Sequence, residues 1–325
     1  MAKATAQLKS PTRLDAHRHA KYERLIDTAK TKSPLSTAVA HPCDESSLRG
    51  TIEAFQAGLI VPILVGPAGK IRSIAEKLGL DLSDIEIIDA PHSQAAAERA
   101  VALVREGKAE LLMKGSLHSD EILGEVTKRD GLRTGRRVSH VFIMDVPTHP
   151  QTLFITDAAV NIAPDLMAKR DIVQNAIDLF VGLGLGTPKV AILSAVENVT
   201  VAIPSTIEAA ALCKMADRGQ ITGGELDGPL AFDNAISEEA ARIKRIKSAV
   251  AGKAQILVVP DLEAGNMLAK NLSFLSNADA AGIVLGARVP VILTSRADNL
   301  RTRLASCAVA SLLAYSQKSG RPITS

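Results

Sequence analysis

The sequence predicts an α/β protein with a largely parallel sheet, divided into two α/β parts. Three observations carry that expectation. Apolar runs rich in β-branched residues, such as 59–65 and 289–293, alternate with longer stretches of helical periodicity, the mark of βαβ units. Polar and charged residues gather just after these runs, where open α/β sheets bind their ligands. The length, 325 residues, exceeds what one core usually holds, so two domains are expected.

In chain order, residues 1–18 are polar and basic without a continuous apolar stretch, and read as a loose arm rather than a secretory signal. Residues 22–30 form the first helix. A strand at 37–40 exits through His41-Pro42-Cys43-Asp44, and Asp44 caps a helix over 45–57 that Gly58 stops. The strand 59–65 is followed by Gly66-Pro67-Ala68-Gly69-Lys70. This turn is not a Walker loop: its spacing differs, and Ile71 stands where a magnesium-binding hydroxyl belongs. A strand at 85–89, an alanine-rich helix from Ser93 and a strand at 110–113 come next. The last of these exits into Lys114-Gly115-Ser116-Leu117-His118-Ser119-Asp120. After a helix through Ile122 and Val126, the loop 130–137 carries Arg133, Arg136 and Arg137 between glycines. It is either a solvated basic turn or a phosphate clamp facing Lys114. The strand 138–146 closes the first set.

A second set begins at 152–156 and leaves through Asp157 to Asn161, with a helix from Pro164 to Val181. Gly182-Leu183-Gly184-Leu185-Gly186 imitates a dinucleotide fingerprint but follows a helix and precedes a strand (190–193), the reverse of what pyrophosphate binding requires. Further expected elements are a helix at 204–215, a strand at 221–226 leading into Asp227 to Ala235, and a helix at 238–246. A strand at 255–259 then exits through 260–266, with a helix at 267–275 and a short strand at 282–285. The final helix, 299–315, is expected to cross back and complete the first domain.

Composition removes several functions. A net charge of +3, with no Trp, two Tyr and six Phe, argues against a nucleic-acid surface built on basic and stacking residues. No apolar run reaches transmembrane length. The three isolated cysteines suit a reducing cytoplasm; Cys213 and Cys307 read as core fillers, and Cys43 stands near a strand end. His118 and Asp120 lack a third ligand at metal-binding spacing.

The richest strand exit is Thr294-Ser295-Arg296-Ala297-Asp298, which brings a hydroxyl, a guanidinium and a carboxylate to the start of a helix. Ser295 or Asp298 could simply cap that helix. Arg296 has no capping role and is repelled by the helix dipole, so a bound phosphate or carboxylate explains it better.

Taken together, Lys114-Gly115, Leu132-Arg133-Thr134-Gly135 with Ser139-His140, Phe154 to Asn161, Asp227 to Asp233, Pro260 to Asn266 and Thr294-Ser295-Arg296 resemble the phosphate acetyltransferase and phosphate butyryltransferase family. The butyryl-type branch looks nearer on Lys114-Gly115, Leu132 to Gly135 and Asp227 to Asn234. The resemblance runs from about Val39 to the C-terminus. It implies two α/β subdomains around a cleft, as in isocitrate and isopropylmalate dehydrogenases. Residues 1–20 would be a flexible arm, 21–148 with 294–325 domain I, and 149–293 an inserted domain II. It further implies a homodimer that transfers a short acyl group reversibly between coenzyme A and inorganic phosphate, in the cytoplasm that the cysteines suggest. Coenzyme A or acyl-CoA and phosphate or acyl phosphate are then partners, with no tightly bound cofactor, no metal, no nucleic acid and no membrane.

In that resemblance Ser295 donates to the developing oxyanion and Arg296 grips phosphate. Lys114, Gly115, Arg133 and Thr134 bind substrate, with Arg136 a weaker candidate. Acetyl-type members carry their proposed base, an aspartate, where this chain has Thr302, so Asp298 is the nearest carboxylate for that role. Two other readings remain open at this point: a metal-dependent hydroxy-acid dehydrogenase of the same fold, using Asp227, Asp233 and Asp261, and a non-catalytic module that binds acyl-CoA or acyl phosphate.

Overall fold

A computed structural model of the chain describes residues 20–293 and 299–323. The first part is a run of βαβ units. The helix α1 (Ala20–Lys30) precedes β1 (Leu35–Ala40), α2 (Glu45–Gln56), β2 (Ile60–Gly66), α3 (Ala68–Leu78), β3 (Glu86–Asp89), α4 (Ser93–Arg105), β4 (Leu111–Lys114) and α5 (Ser119–Thr127). Then come β5 (Ser139–Asp145), β6 (Leu153–Thr156), α6 (Leu166–Gly182), β7 (Lys189–Leu193), α7 (Pro204–Asp217) and β8 (Glu225–Leu230). The remainder is α8 (Phe232–Ile236), α9 (Glu238–Ile243), β9 (Ile256–Val258), α10 (Leu262–Leu275), β10 (Asp279–Leu285), β11 (Val291–Ile292) and α11 (Leu300–Ser319).

Among the described residues these strands form one sheet of eleven, in the order β3-β2-β1-β4-β11-β10-β5-β6-β9-β7-β8. Both wings are parallel. They meet at an antiparallel seam, where β10 runs against β11 and β5, and β5 against β6. The parallel expectation therefore holds for the wings and fails at the centre, because hydrophobic periodicity identifies strands without saying which way their neighbours run. Tyr22 of α1 clasps this seam. Its buried hydroxyl lies against the carbonyls of Ile143 and Asp279 and accepts from the Ala281 N–H at 2.5 Å.

Side-chain alternation sorts the core. On β1, Leu35 and Val39 join the large cluster under α11, whereas Ala38 and Ala40 face α4. The small residues Ala96, Ala97 and Ala100 let that helix lie close to the sheet. The helix α11 is buried around most of its circumference, as its apolar run from Ala305 to Ala314 demands, and it packs on α1, α2, α6 and β10.

Several boundaries move from their expected places. Asp227, Gly228 and Pro229 lie inside β8, not in a loop after it. That run is tolerated because β8 is an edge strand, where a missing N–H costs little. The helix α10 starts at Leu262, five residues before the apolar pattern suggests, because Asp261 caps it by accepting from Ala264 N at 2.8 Å.

Candidate active site

In the first wing the chain leaves β1 toward β2 on one side and reaches β4 on the other, so the carboxyl ends of β1 and β4 form a topological switch point. Lys114 closes β4 and is buried, with 7% exposure, its Nζ 3.3 Å from the Gly115 carbonyl. Gly115 is the residue that lets the two strand ends meet. Its N–H donates to Ala40 O at 2.8 Å, and a Cβ there would stand 2.5 Å from the carbonyl oxygens of Ala40 and His41. Ser116 continues the clasp: its N–H and its hydroxyl each donate to His41 O at 2.8 Å. Beside it, Cys43 N–H lies 3.3 Å and His41 Nδ1 3.0 Å from the Ser116 hydroxyl oxygen. Asp44 caps α2 through Ser47 N at 2.8 Å, as expected. Cys43 is buried and burial pushes its thiol up to about 11, so it stays protonated and inert as a nucleophile at neutral pH.

Ser295, Arg296 and Asp298 lie outside the described residues, and the structure places only their surroundings. In register, Ile292 of β11 pairs with Met113 of β4, so Leu293 and Lys114 follow as neighbours at the same sheet end. On the far side Asn299 begins α11. Its side-chain oxygen accepts from Thr302 N at 2.9 Å, and its amide donates to Asp279 Oδ1 at 2.8 Å. The cap of this helix is thus Asn299, where the sequence offered Ser295 or Asp298. Thr302 sits buried in the first turn. The next residue, Arg303, is 8% exposed and reaches across to α2, donating to Ser46 O at 2.7 Å and to the Ser46 hydroxyl. Gly50 makes room for it, since a Cβ there would come within 2.7 Å of Arg303 Cδ. Sequence reasoning missed Arg303; the available signal was an arginine in the first turn of a helix, where the dipole disfavours it.

The basic loop is organised differently from a clamp. Thr134 Oγ1 donates to Gly286 O at 2.7 Å and accepts from Arg136 N at 3.1 Å. Arg133 forms a backbone bridge with Ala287, and its side chain is exposed. The loop is therefore tied to the β10–β11 connection. Arg136 is ion-paired with Asp178, and Arg137 donates through Nε to Asn161 Oδ1 at 2.7 Å. These two arginines already have protein acceptors, and no hydrogen bond joins this loop to the Lys114 turn among the described residues.

The Asp157 to Asn161 motif closes on itself as a hydrogen-bonded turn. The Asp157 carboxylate accepts from the N–H groups of Ala159, Val160 and Asn161 at 3.0–3.1 Å and from Asn161 Nδ2 at 2.6 Å. His140, on β5, is buried edge-on to Phe142 at 4.4 Å. Its Nδ1 has no hydrogen-bond partner among the described residues. Burial lowers its pKa from 6.5 to about 4, against the pull of Asp157. The unfolded chain therefore takes up a proton below pH 6.5 that folded His140 refuses until about pH 4. The stability this contributes is full above 6.5 and is lost as pH falls through that window, by at most about 3 kcal/mol. We expect urea midpoints measured from pH 7 to 4.5 to fall for the wild type and to fall less steeply for His140→Leu.

The aspartates considered for a metal do not converge. Asp261 caps α10, Asp233 pairs with Lys244, and Asp227 accepts from Gly228 N. Among the described residues no three His, Cys, Asp or Glu side chains gather at one point. Nor is any described helix long and apolar enough to cross a membrane.

A parallel wing with a buried lysine at its switch point is an α/β fold with its polar groups where such sheets place their ligands. Residues 92–311 match the family model described as phosphate acetyl/butaryl transferase, and the chain belongs to that family. It is 70% identical to a phosphate acetyltransferase of Rhizobium meliloti over 302 residues, covering 93% of this chain and 96% of the relative. It is 42% identical to a phosphate butyryltransferase of Clostridium acetobutylicum over 294 residues, covering 90% and 98%. Among solved structures, a branched-chain phosphotransacylase from Enterococcus faecalis V583 superposes with a TM-score of 0.74 at 30% identity, over 86% of this chain and 99% of that one.

Proposed function

We propose that the chain is a phosphate acyltransferase that moves a short acyl group, acetyl to butyryl, reversibly between coenzyme A and inorganic phosphate. The observation that carries this reading is its family membership over 92–311, together with relatives matched along nearly their whole length. Both substrates are anionic, and Lys114 supplies a buried cation where β1 and β4 end. Arg296 grips phosphate, Ser295 donates to the oxyanion of the tetrahedral intermediate, and Gly115, Arg133 and Thr134 complete the substrate contacts. Transfer is direct, within a ternary complex, so alignment of the two substrates supplies much of the rate. Residues 21–148 with 294–325 act as one domain and 149–293 as the other, with the cleft between them, as in isocitrate dehydrogenase. Residues 1–20 are an arm. The enzyme works in the cytoplasm with coenzyme A as substrate and no tightly bound cofactor. The test is thiol release from acetyl-, propionyl- and butyryl-CoA with and without phosphate; no phosphate-dependent release from any of them overturns the proposal. Coenzyme A binding without turnover would instead favour a binding module.

The homodimer has a physical basis in α10. Met267, Phe274 and Leu275 are 65%, 77% and 78% exposed on this helix, and Ile162, whose carbonyl accepts from Leu262 N, adds an apolar side chain at 73% exposure. Apolar residues clustered on one surface helix mark an interaction face, and a second copy of this chain is the partner proposed. We expect Met267→Lys with Phe274→Asp to convert a dimer to monomers in sedimentation velocity, without loss of helical circular dichroism.

A further inference from the structure

We infer that His41 is the proton acceptor of the transfer reaction, working through Nε2 at the mouth of the β1–β4 crevice. The inference rests on the proposed acyltransferase function and assigns the base within it.

The strand-end clasp holds the ring through Nδ1. A hydroxyl has one hydrogen, and that of Ser116 is directed to His41 O at 2.8 Å. The Ser116 oxygen accepts from Cys43 N–H at 3.3 Å and lies 3.0 Å from His41 Nδ1. The base we infer is the tautomer in which Nδ1 donates to the Ser116 oxygen and Nε2 keeps its lone pair. A second-sphere hydroxyl that holds one ring nitrogen and frees the other is how a histidine base is oriented. The backbone repeats the point. His41 has φ of 54°, in the left-handed region, which glycine and asparagine occupy at lower cost. A histidine held there by its neighbours is a feature of functional positions.

The electrostatics keep the ring neutral. Burial lowers its pKa first, and Lys70 at the start of α3 and His92 at the cap of α4 push the same way. Glu121 of α5 and Asp44 at the cap of α2 pull against them, and the net direction is down from 6.5. Among the described residues, the two carboxylates that act on the ring have other partners. Glu121 accepts from the Ser93 hydroxyl and from His118 N at 2.7 Å, and Asp44 accepts from Ser47 N and the Ser47 hydroxyl. His41 is thus the neutral, oriented base at this sheet end. In the direction that forms acyl-CoA, the S–H bond of coenzyme A breaks and its proton moves to Nε2. The electron pair left on sulfur forms the C–S bond, and the C–O bond to phosphate breaks with its pair leaving on phosphate. The imidazolium then passes its proton to solvent. In reverse, it protonates the departing thiolate.

The experiment measures kcat and kcat/KM from pH 5 to 9 for the wild type, His41→Asn, His41→Gly and Asp298→Asn. Asparagine and glycine suit the left-handed backbone, so these variants are expected to keep the wild-type thermal midpoint within a few degrees. We expect His41→Asn to lower kcat by about 10²-fold or more, with KM for coenzyme A changed by less than about threefold, and to remove the acid limb of the profile. Added imidazole should restore part of the activity of His41→Gly. Retention of both rate and acid limb in His41→Asn overturns the inference. So does an acid limb that disappears only in Asp298→Asn, or a loss in both His41 variants with the limb intact and no imidazole rescue. A wild type without phosphate-dependent thiol release sinks the acyltransferase reading itself, and this assignment with it.

Discussion

Replacing Gly115 by alanine is expected to cost about 1–3 kcal/mol of stability and most of the activity. The added Cβ would stand 2.5 Å from two backbone oxygens, Ala40 O and His41 O, neither of which can rotate away. Relief requires β1 and β4 to separate at their carboxyl ends, which breaks the bonds from Gly115 N to Ala40 O and from Ser116 N to His41 O. Overpacking of a tight site has this order of cost, and here the strain falls on the turn that carries Lys114 and Ser116. Gly135→Ala is the matched control. It lies in an exposed loop with nothing within 4 Å of an added Cβ, so a change within about 0.5 kcal/mol is expected. Urea unfolding of the two variants, with thiol-release rates at pH 7.5, checks the pair. Equal stability of the two would show that the strand ends are softer than their hydrogen bonds imply.

The larger kinetic effect is expected at the Ser-Arg pair. Ser295→Ala should lower kcat by about 10²–10³-fold, the usual loss when one oxyanion donor is removed. Arg296→Lys should also fail, despite its retained charge, because an ammonium cannot make the two parallel bonds by which a guanidinium holds phosphate. Its deficit should appear mainly in KM for phosphate or acyl phosphate, whereas the Ser295 deficit should appear in kcat. Product curves at varied phosphate with fixed acyl-CoA separate the two. An Arg296→Lys enzyme with unchanged phosphate dependence would remove Arg296 from the anion site.

Much of the fold and of the anion-binding loops is legible in the sequence. The βαβ alternation, the caps at Asp44 and the loop residues Lys114, Gly115, Arg133 and Ser295-Arg296 all follow from local pattern, and their order along the chain identified the family. Local motifs looked nearer to the butyryl-type branch, yet the relative at 70% identity carries the acetyl name and the butyryltransferase stands at 42%, because a pocket reads chain length by its walls, at about 1–3 kcal/mol per methylene, and not by those motifs. The roles of the arginines were half legible. Periodicity showed a basic loop, but only the fold pairs Arg136 with Asp178 and Arg137 with Asn161.

By itself the sequence determined the secondary elements of both wings, the family and the residue types that meet anions, because each depends on neighbours a few positions apart. Tertiary structure alone decided the antiparallel seam at β10 and β5 and the reach of Arg303 to Ser46. It also decided the contact that orients His41, whose partner Ser116 is 75 residues away. Hydrogen bonds and steric limits of that kind join atoms that are distant in the chain, and no local propensity encodes them.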